Sequence, residues 1–233
     1  MKSFEDSRLL ANLMVQTGES SGTRTVALLT TMDEPLGRFA GNWLEVWECV
    51  EILQGTLNPL SADLITLSTI LAGWMLHIGG KTPTPEAGAK LADDLLSSGA
   101  AYKSWLCMVE AQGGDTAIFT NPAAFHKPTA TRVLTATQPG YFASMDTTQA
   151  GWAIQRLGAG RLVPGGPVSA HAGIEMHVKL GDRITTNQPL ITLYSEDESL
   201  VAEPFQMLHD AIQISPSPAR LNPLIREVIT AKP

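Results

Sequence analysis

Cysteine is almost missing from this chain: Cys49 and Cys107 are the two in 233 residues, too few for a disulfide framework and without the paired spacing of a zinc knuckle. Each falls inside an apolar helical pattern, which predicts reduced, buried thiols. Blocks of like charge are missing too. The 16 basic and 23 acidic residues are mixed along the chain for a net charge of −7, so no basic surface is available to grip a phosphate backbone and no nucleic-acid partner is expected. The most apolar run, residues 64–78, is interrupted by Thr66, Ser68, Thr69, Gly73 and His77 and falls short of a membrane span, so no membrane partner is expected either. Met1-Lys2-Ser3-Phe4-Glu5-Asp6 has neither the apolar core nor the cleavage site of a secretory leader, and a cytoplasmic protein is the expectation. No Gly-x-Ser-x-Gly string occurs, which removes the serine-hydrolase elbow. No glycine-rich turn followed by Lys and Ser stands between a strand and a helix, which removes a phosphate cradle of that kind.

What is present is the composition of an ordinary globular protein, 44% hydrophobic and 17% charged, enough for one large or two modest cores. Ser3 can cap a first helix with Asp6 three residues on, and Leu9, Leu10, Leu13 and Met14 form its apolar stripe before Gly18 and Gly22 stop it. A continuous apolar strand over 24–30 follows. A helix feeding such a strand reads as the remainder of a βαβ unit, because an all-apolar strand belongs in a sheet covered on both faces. That pattern predicts a sheet left unfinished at its N-terminal edge. A helix over 43–53 comes next, then one from about 62 to 78 that is apolar nearly all round and must be covered by something. Thr84-Pro85-Glu86 starts a helix reaching about residue 96, and 101–112 is another before Gly113-Gly114.

From Asn121-Pro122 the pattern changes to short strands: 131–136, then 141–144 after the Pro139-Gly140 turn. Asp146 can cap a helix through Ile154 and Leu157, closed by Gly158-Ala159-Gly160. Alternating apolar and polar residues then run between turns at 164–166, 181–182 and 187–189. A last helix, about 200–212, precedes a proline-rich tail. The change of pattern sets a domain boundary near residue 122, giving domains over 1–121 and 122–233.

Three strings carry a resemblance to a known family. The first is the strand Arg24-Thr25-Val26-Ala27-Leu28-Leu29-Thr30-Thr31, the loop Asp33-Glu34-Pro35-Leu36-Gly37, Gly41-Asn42, and then Leu44-Glu45-Val46 with Glu48. The second is Gly140-Tyr141-Phe142-Ala143-Ser144-Met145-Asp146-Thr147 leading to Leu157-Gly158-Ala159-Gly160-Arg161. The third is Ala172-Gly173, Lys179-Leu180-Gly181-Asp182-Arg183-Ile184 and Gln188-Pro189-Leu190-Ile191. Together they resemble the C-terminal portion of the thymidine and pyrimidine-nucleoside phosphorylases, over nearly the whole chain. The resemblance implies an α/β (α+β) fold: the remnant of a large mixed α/β domain with packed helices, then a small C-terminal α/β hammerhead-like domain.

It also implies a reaction, phosphorolysis of a pyrimidine nucleoside, as in thymidine plus phosphate giving thymine and 2-deoxyribose 1-phosphate. In the family the phosphate loop and the base-binding Arg, Ser and Lys precede the first of these strings, and none of those motifs occurs here. The expectation is therefore a catalytically incomplete chain with no catalytic or substrate-binding residue of its own. Its partners would be the missing N-terminal half or further copies in a homo-oligomer, with phosphate and nucleoside binding the complete enzyme. The alternative is a truncated, non-catalytic paralogue acting as a folded binding or oligomerisation module. No cofactor is required, but some family members hold a structural cation. By motif position its ligands here are the carbonyls of Leu36 and Phe39 and the carboxylate of Glu48, oxygens suited to potassium or calcium. Trp43, Trp47 and Phe39 are bulkier than the family's usual residues, which implies local repacking.

Other candidates are thinner. The Gly181-Asp182 turn also resembles the hairpins of lipoyl and biotinyl carrier domains, but Lys179 lies two residues before the turn rather than at a hairpin tip. His171 and His177, six apart in what reads as strand, share a face yet have no third ligand. His77 suits a helix end, His126 stands in a loop without a partner in sequence, and Asp33 and Glu34 read as turn formers as readily as an acid–base pair.

Overall fold

The computed structural model describes residues 3–231; Met1 and Lys2, at the head of the stretch that lacks a leader's apolar core, lie outside the described residues. Along the chain the elements are α1 (Phe4–Ser20), β1 (Val26–Thr30), β2 (Phe39–Gly41), α2 (Asn42–Leu53), α3 (Ala62–Ile78), α4 (Pro85–Ser97), α5 (Ala100–Ala111) and α6 (Pro122–Phe125). They continue as β3 (Ala130–Thr135), β4 (Gly140–Met145), α7 (Thr147–Ile154), β5 (Gly173–Met176), β6 (Arg183–Ile184), β7 (Pro189–Ser195), α8 (Ala202–Ala211), β8 (Ile212–Ser215) and β9 (Ile225–Thr230). The protein is mixed α/β, and among the described residues every strand pairing is antiparallel. Its contacts group into two compact units, one from the described parts of Met1–Thr31, Ile65–Leu95 and Asn222–Pro233, the other from Met32–Leu64 and Leu96–Leu221.

In the first unit, the Ser3 hydroxyl caps α1 by accepting the Asp6 N–H. The buried face of α1 is Ala11 and Val15, packed on Ala27, Leu29 and Ile229. The expected stripe is not that face: Leu9, Leu10, Leu13 and Met14 are all exposed. The ribbon beneath α1 has two strands, too narrow to cover a wide stripe, and small residues let the helix lie close to it. That ribbon is β1 paired with β9, in register from Val26 opposite Thr230 to Thr30 opposite Ile225. Every residue of β1 is half-buried, so the strand is not covered on both faces as its composition predicts. β9 and β8 both arise from the stretch expected to be a helix end and a tail.

Within α3 only Gly73 is fully buried; Leu64, Ile65, Leu67, Ile70, Trp74 and Ile78 are half-buried while Leu71 and Met75 are exposed, so its apolar surface is covered in part. A short turn of helix at Pro59–Ser61 precedes it. The resulting stretch Pro59–Ile78, 20 residues with 11% of it buried, is long and apolar enough to cross a membrane by length and composition. This revises the expectation that the run falls short. Thr84 caps α4 as predicted, its hydroxyl accepting the Ala87 N–H at 3.2 Å.

In the second unit, a four-stranded sheet has the order β2-β5-β7-β3 and a three-stranded sheet the order β6-β4-β8. β3 and β4 are therefore in different sheets and do not form a hairpin across Pro139-Gly140. Phe142, Leu157, Ile174, Met176, Ile191 and Leu208 lie at the centre of the core between these sheets, α7 and α8. Asp146 caps α7 by accepting the Gln149 N–H, and a left-handed Gly158 stops the turn that follows. A second cluster joins Trp43 and Val50 of α2 to Tyr102, Trp105 and Val109 of α5 and to Phe119. Because those residues take the packed faces, Cys49 on α2 and Cys107 on α5 turn outward: both thiols are free and exposed, not buried.

Candidate functional site

The loop 32–39, which carries the Asp-x-Pro-Leu-Gly string, is held by side chains from three directions in the second unit. From α2, Glu48 is 2% exposed and its carboxylate accepts the Arg38 N–H at 2.8 Å, the Phe39 N–H at 3.3 Å and the Ser61 hydroxyl. Gly37 makes that approach possible. Its φ is +71°, and a Cβ there would stand 2.6 Å from Glu48 Oε2. Three bonds use three of the roughly four lone-pair directions of a carboxylate, leaving one for a further ligand.

The second hold is Lys179, from the segment between β5 and β6. Its ammonium donates to the carbonyls of Pro35 at 2.8 Å and Gly37 at 2.7 Å and to Asp63 Oδ2 at 2.7 Å. An ammonium has three donors, and all three are used. Asp63 in turn accepts the Gly37 N–H at 3.1 Å and the Leu64 N–H at 2.8 Å through Oδ1. Glu34 supplies the third hold by accepting the Leu180 N–H at 2.9 Å. Burial raises the Glu34 carboxyl above its ordinary value, against the Leu180 bond and Lys179, which pull it down. Engaged in this way, Glu34 is a fastening of the loop, with Lys179, Asp63 and Asp182 near enough to act on its charge.

Arg38 anchors a neighbouring network. Its guanidinium pairs with Glu51 and, at 3.5 Å, with Glu175, and it stacks over Phe39 at 4.2 Å and Trp47 at 5.6 Å. Trp47 Nε1 donates to Glu51 at 2.7 Å, and the Tyr194 hydroxyl donates to Glu175 at 2.8 Å. Burial first and the Glu175 bond second hold the Tyr194 phenol far above its usual range. Two of the three bulky residues that depart from the family pattern, Phe39 and Trp47, are thus the platform on which Arg38 lies.

The histidines end up apart from their sequence pattern. β5 covers only Gly173–Met176, so His171 and His177 both fall outside it and do not meet. His177 Nε2 is 2.7 Å from Thr192 Oγ1, whereas the His171 ring lies tilted against Phe125 at 5.3 Å and edge-on to His126 at 5.8 Å. His126, expected to be without a partner, is enclosed by His171, Tyr194 at 4.7 Å and Trp47 at 6.0 Å. Burial and then the His171 ring push its pKa below the ordinary value. Among the described residues no group of three or more His, Cys, Asp or Glu is arranged to hold a metal.

The Leu-Gly-Ala-Gly string borders a separate groove of about 580 Å³ lined by Leu157, Gly158, Leu162, Val163, Val168 and Leu200 among others. Its lining is mainly apolar. The polar chemistry of the unit is therefore concentrated around loop 32–39, where the two well-buried cations, Lys179 and Arg38, are already matched by carboxylates. This arrangement orders backbone, although Arg38 Nε is buried in it without a hydrogen-bond partner. Sequence reasoning missed Lys179, Asp63 and Arg38 because their partners lie up to 144 residues away. The only local signal was Asp182, which accepts the Lys179 N–H at 2.8 Å and shapes the turn that aims the lysine.

Residues 1–102 match the family described as glycosyl transferase family, a/b domain, and residues 141–215 match the pyrimidine nucleoside phosphorylase C-terminal domain. The chain is similar to a pyrimidine-nucleoside phosphorylase of Geobacillus stearothermophilus, 30% identical over 230 residues, covering 99% of this chain and 52% of that protein. It is likewise similar to one from Staphylococcus aureus strain USA300, 30% identical over 230 residues, covering 97% of this chain and 52% of that protein. The match to the strain MSSA476 protein is 31% identical over 200 residues, 86% of this chain and 46% of that one. The chain thus spans about half the length of the curated relatives it matches.

Proposed function

Because the chain belongs to the pyrimidine-nucleoside phosphorylase family over its C-terminal portion, we propose that it supplies the scaffold half of an enzyme that cleaves a pyrimidine nucleoside with phosphate. In that reaction phosphate attacks the anomeric carbon, the base departs with the bond's electron pair, and a sugar 1-phosphate forms. Stabilising it takes cations and N–H donors around phosphate and donors on the leaving base. The observation that carries the reading is an identity of 30% over 230 residues that covers only about half of the relative, in a sequence without the phosphate-loop and base-binding motifs. Arg38 and Lys179 are committed to carboxylates and carbonyls, which agrees with a structural role. The reacting groups would come from a polypeptide equivalent to the relatives' other half, and phosphate and nucleoside would bind the assembled enzyme. A structural potassium or calcium ion of that enzyme would use the carbonyls of Leu36 and Phe39 and the remaining lone-pair direction of Glu48. Free thiols at Cys49 and Cys107 suit a reducing, cytoplasmic setting.

The test is a phosphate-dependent cleavage assay on the purified chain with thymidine and uridine, following the released base by absorbance, with a no-phosphate control. A folded chain, shown so by circular dichroism, is expected to be silent alone. Cleavage that requires phosphate would overturn the scaffold reading and mean that reacting groups exist within these 233 residues.

A second reading, a non-catalytic binding or oligomerisation module, draws on one observation: Leu9, Leu10, Leu13 and Met14 are exposed on α1 while α3 fully buries only Gly73. Light scattering tests this reading: a monomer would overturn it, whereas a defined homo-oligomer that is lost when Leu9 and Met14 are made polar would support it.

A further inference from the structure

The oxygens that receive Lys179 make a site in their own right. The carbonyls of Pro35 and Gly37 and Oδ2 of Asp63 converge on one point, each 2.7 to 2.8 Å from the ammonium nitrogen. Carbonyl and carboxylate oxygens converging in this way are what hard cations bind. Of the three oxygens only that of Asp63 is charged, which matches a monovalent occupant; Glu34 and Asp182 stand nearby, but their carboxylates are engaged by the Leu180 and Lys179 N–H groups. The pocket is also prepared from behind. Asp63 is fixed by the N–H groups of Gly37 and Leu64, and the Lys179 backbone by the Asp182 carboxylate. None of the three oxygens belongs to the Leu36, Phe39 and Glu48 set considered above.

We propose that Pro35, Gly37 and Asp63 form a monovalent-cation site that the protein fills with its own Lys179 ammonium, so that a tethered cation, not a dissolved one, fixes the loop. A tethered cation loses less freedom on docking than a free ion does, and its occupancy does not depend on the concentration of a dissolved metal ion. The lysine is a positioning group: it acts through the loop and touches no substrate.

The experiment compares Lys179→Ala, which opens the space, with Lys179→Met, which fills it without charge. Thermal midpoints are read by circular dichroism in potassium chloride and in tetramethylammonium chloride at equal ionic strength. Both variants are expected to melt below the parent chain by roughly 5 °C or more. Potassium should raise the midpoint of Lys179→Ala saturably, with no equivalent rise in tetramethylammonium, in Lys179→Met or in the parent. A potassium effect of equal size in all three proteins, or none in a folded Lys179→Ala, would overturn the proposal. A measurement on the unaltered chain covers the case in which the alanine variant does not fold. Limited acylation with an amine-reactive ester, mapped by mass spectrometry, should modify exposed Lys90 early and spare Lys179, whose side chain is 17% exposed. Equal modification of both lysines would likewise reject it.

Discussion

Gly73 of α3 and Gly88 of α4 meet backbone to backbone: a Cβ on Gly88 would stand 2.4 Å from the Gly73 carbonyl oxygen, and one on Gly73 would stand 2.5 Å from that of Pro85. The two helices touch through these glycines with no side chain between them. In a helix interior, Gly→Ala ordinarily stabilises by about 1 kcal/mol. Here the sign should reverse, with Gly73→Ala and Gly88→Ala each losing about 1–3 kcal/mol as the helices are forced apart. Gly151 in α7 is the control, since a Cβ there meets nothing within 4 Å. Urea unfolding should show Gly151→Ala at or above the parent midpoint and the other two below it.

Glu48 gives a second prediction. Replacing it by Gln puts an amide NH₂ against either the Arg38 or the Phe39 N–H, so a donor faces a donor in a sealed space. The loss should be about 3 kcal/mol. Gly37→Ala should cost at least as much, because it combines a left-handed φ with a Cβ driven onto the same carboxylate. Both would appear as lower urea midpoints, and a variant as stable as the parent would mean the loop is not held as described.

Arg38 is flanked by two carboxylates and is 12% exposed at its side chain. Arg38→Met leaves Glu51 and Glu175 without their cation and should destabilise the protein by about 3–5 kcal/mol. Arg38→Lys keeps the charge but not the planar fork that pairs and stacks, so it should recover only part of that loss. Tryptophan fluorescence during unfolding reports both, since Trp47 donates to Glu51 in the same network.

How stability varies with pH tests the environment of His126. Its folded pKa is lowered below the unfolded value of about 6.5, so the folded state prefers the neutral ring. The associated stability is present above about pH 6.5 and is lost as pH falls through the lowered value. The groups facing the ring are His171, Tyr194, Trp47 and the Glu175 carboxylate. His126→Phe keeps an aromatic ring but cannot take a proton, so between pH 8 and 5 its unfolding midpoint should fall less than the parent's. Parallel curves would refute this account.

What the residues alone disclosed follows the range of the interactions involved. The caps at Ser3, Thr84 and Asp146 were readable because each bonds to a group three residues away. The extents of α3, α4 and α5 were readable because period and terminators are local. The buried face of α1 was not, because which side of a helix is covered depends on the width of what lies beneath it. β8 and β9 escaped notice for a related reason: their partners, β4 and β1, are far along the chain, and proline near them suggested a tail. Within the candidate site, motif position named Leu36, Phe39 and Glu48 as cation ligands, but not the bonds that Glu48 makes to the Arg38 and Phe39 N–H groups and the Ser61 hydroxyl. Lys179 and Asp63 could be found only in three dimensions, since 116 residues separate the two ends of their ion pair.

The pairing of Val26 with Thr230 also bears on how the molecule is made. During synthesis β1 leaves the ribosome long before β9, and the strand that completes its ribbon is not available until residue 230 has been added. At about 5–20 residues per second the wait is roughly 10–40 s. Through that interval an apolar segment has no ladder to join, and Leu9, Leu10, Leu13 and Met14 stay uncovered even afterwards. Chaperone engagement during translation should therefore concentrate on the first thirty or so residues, and clipping the chain just before β9 should turn a folded product into an aggregating one.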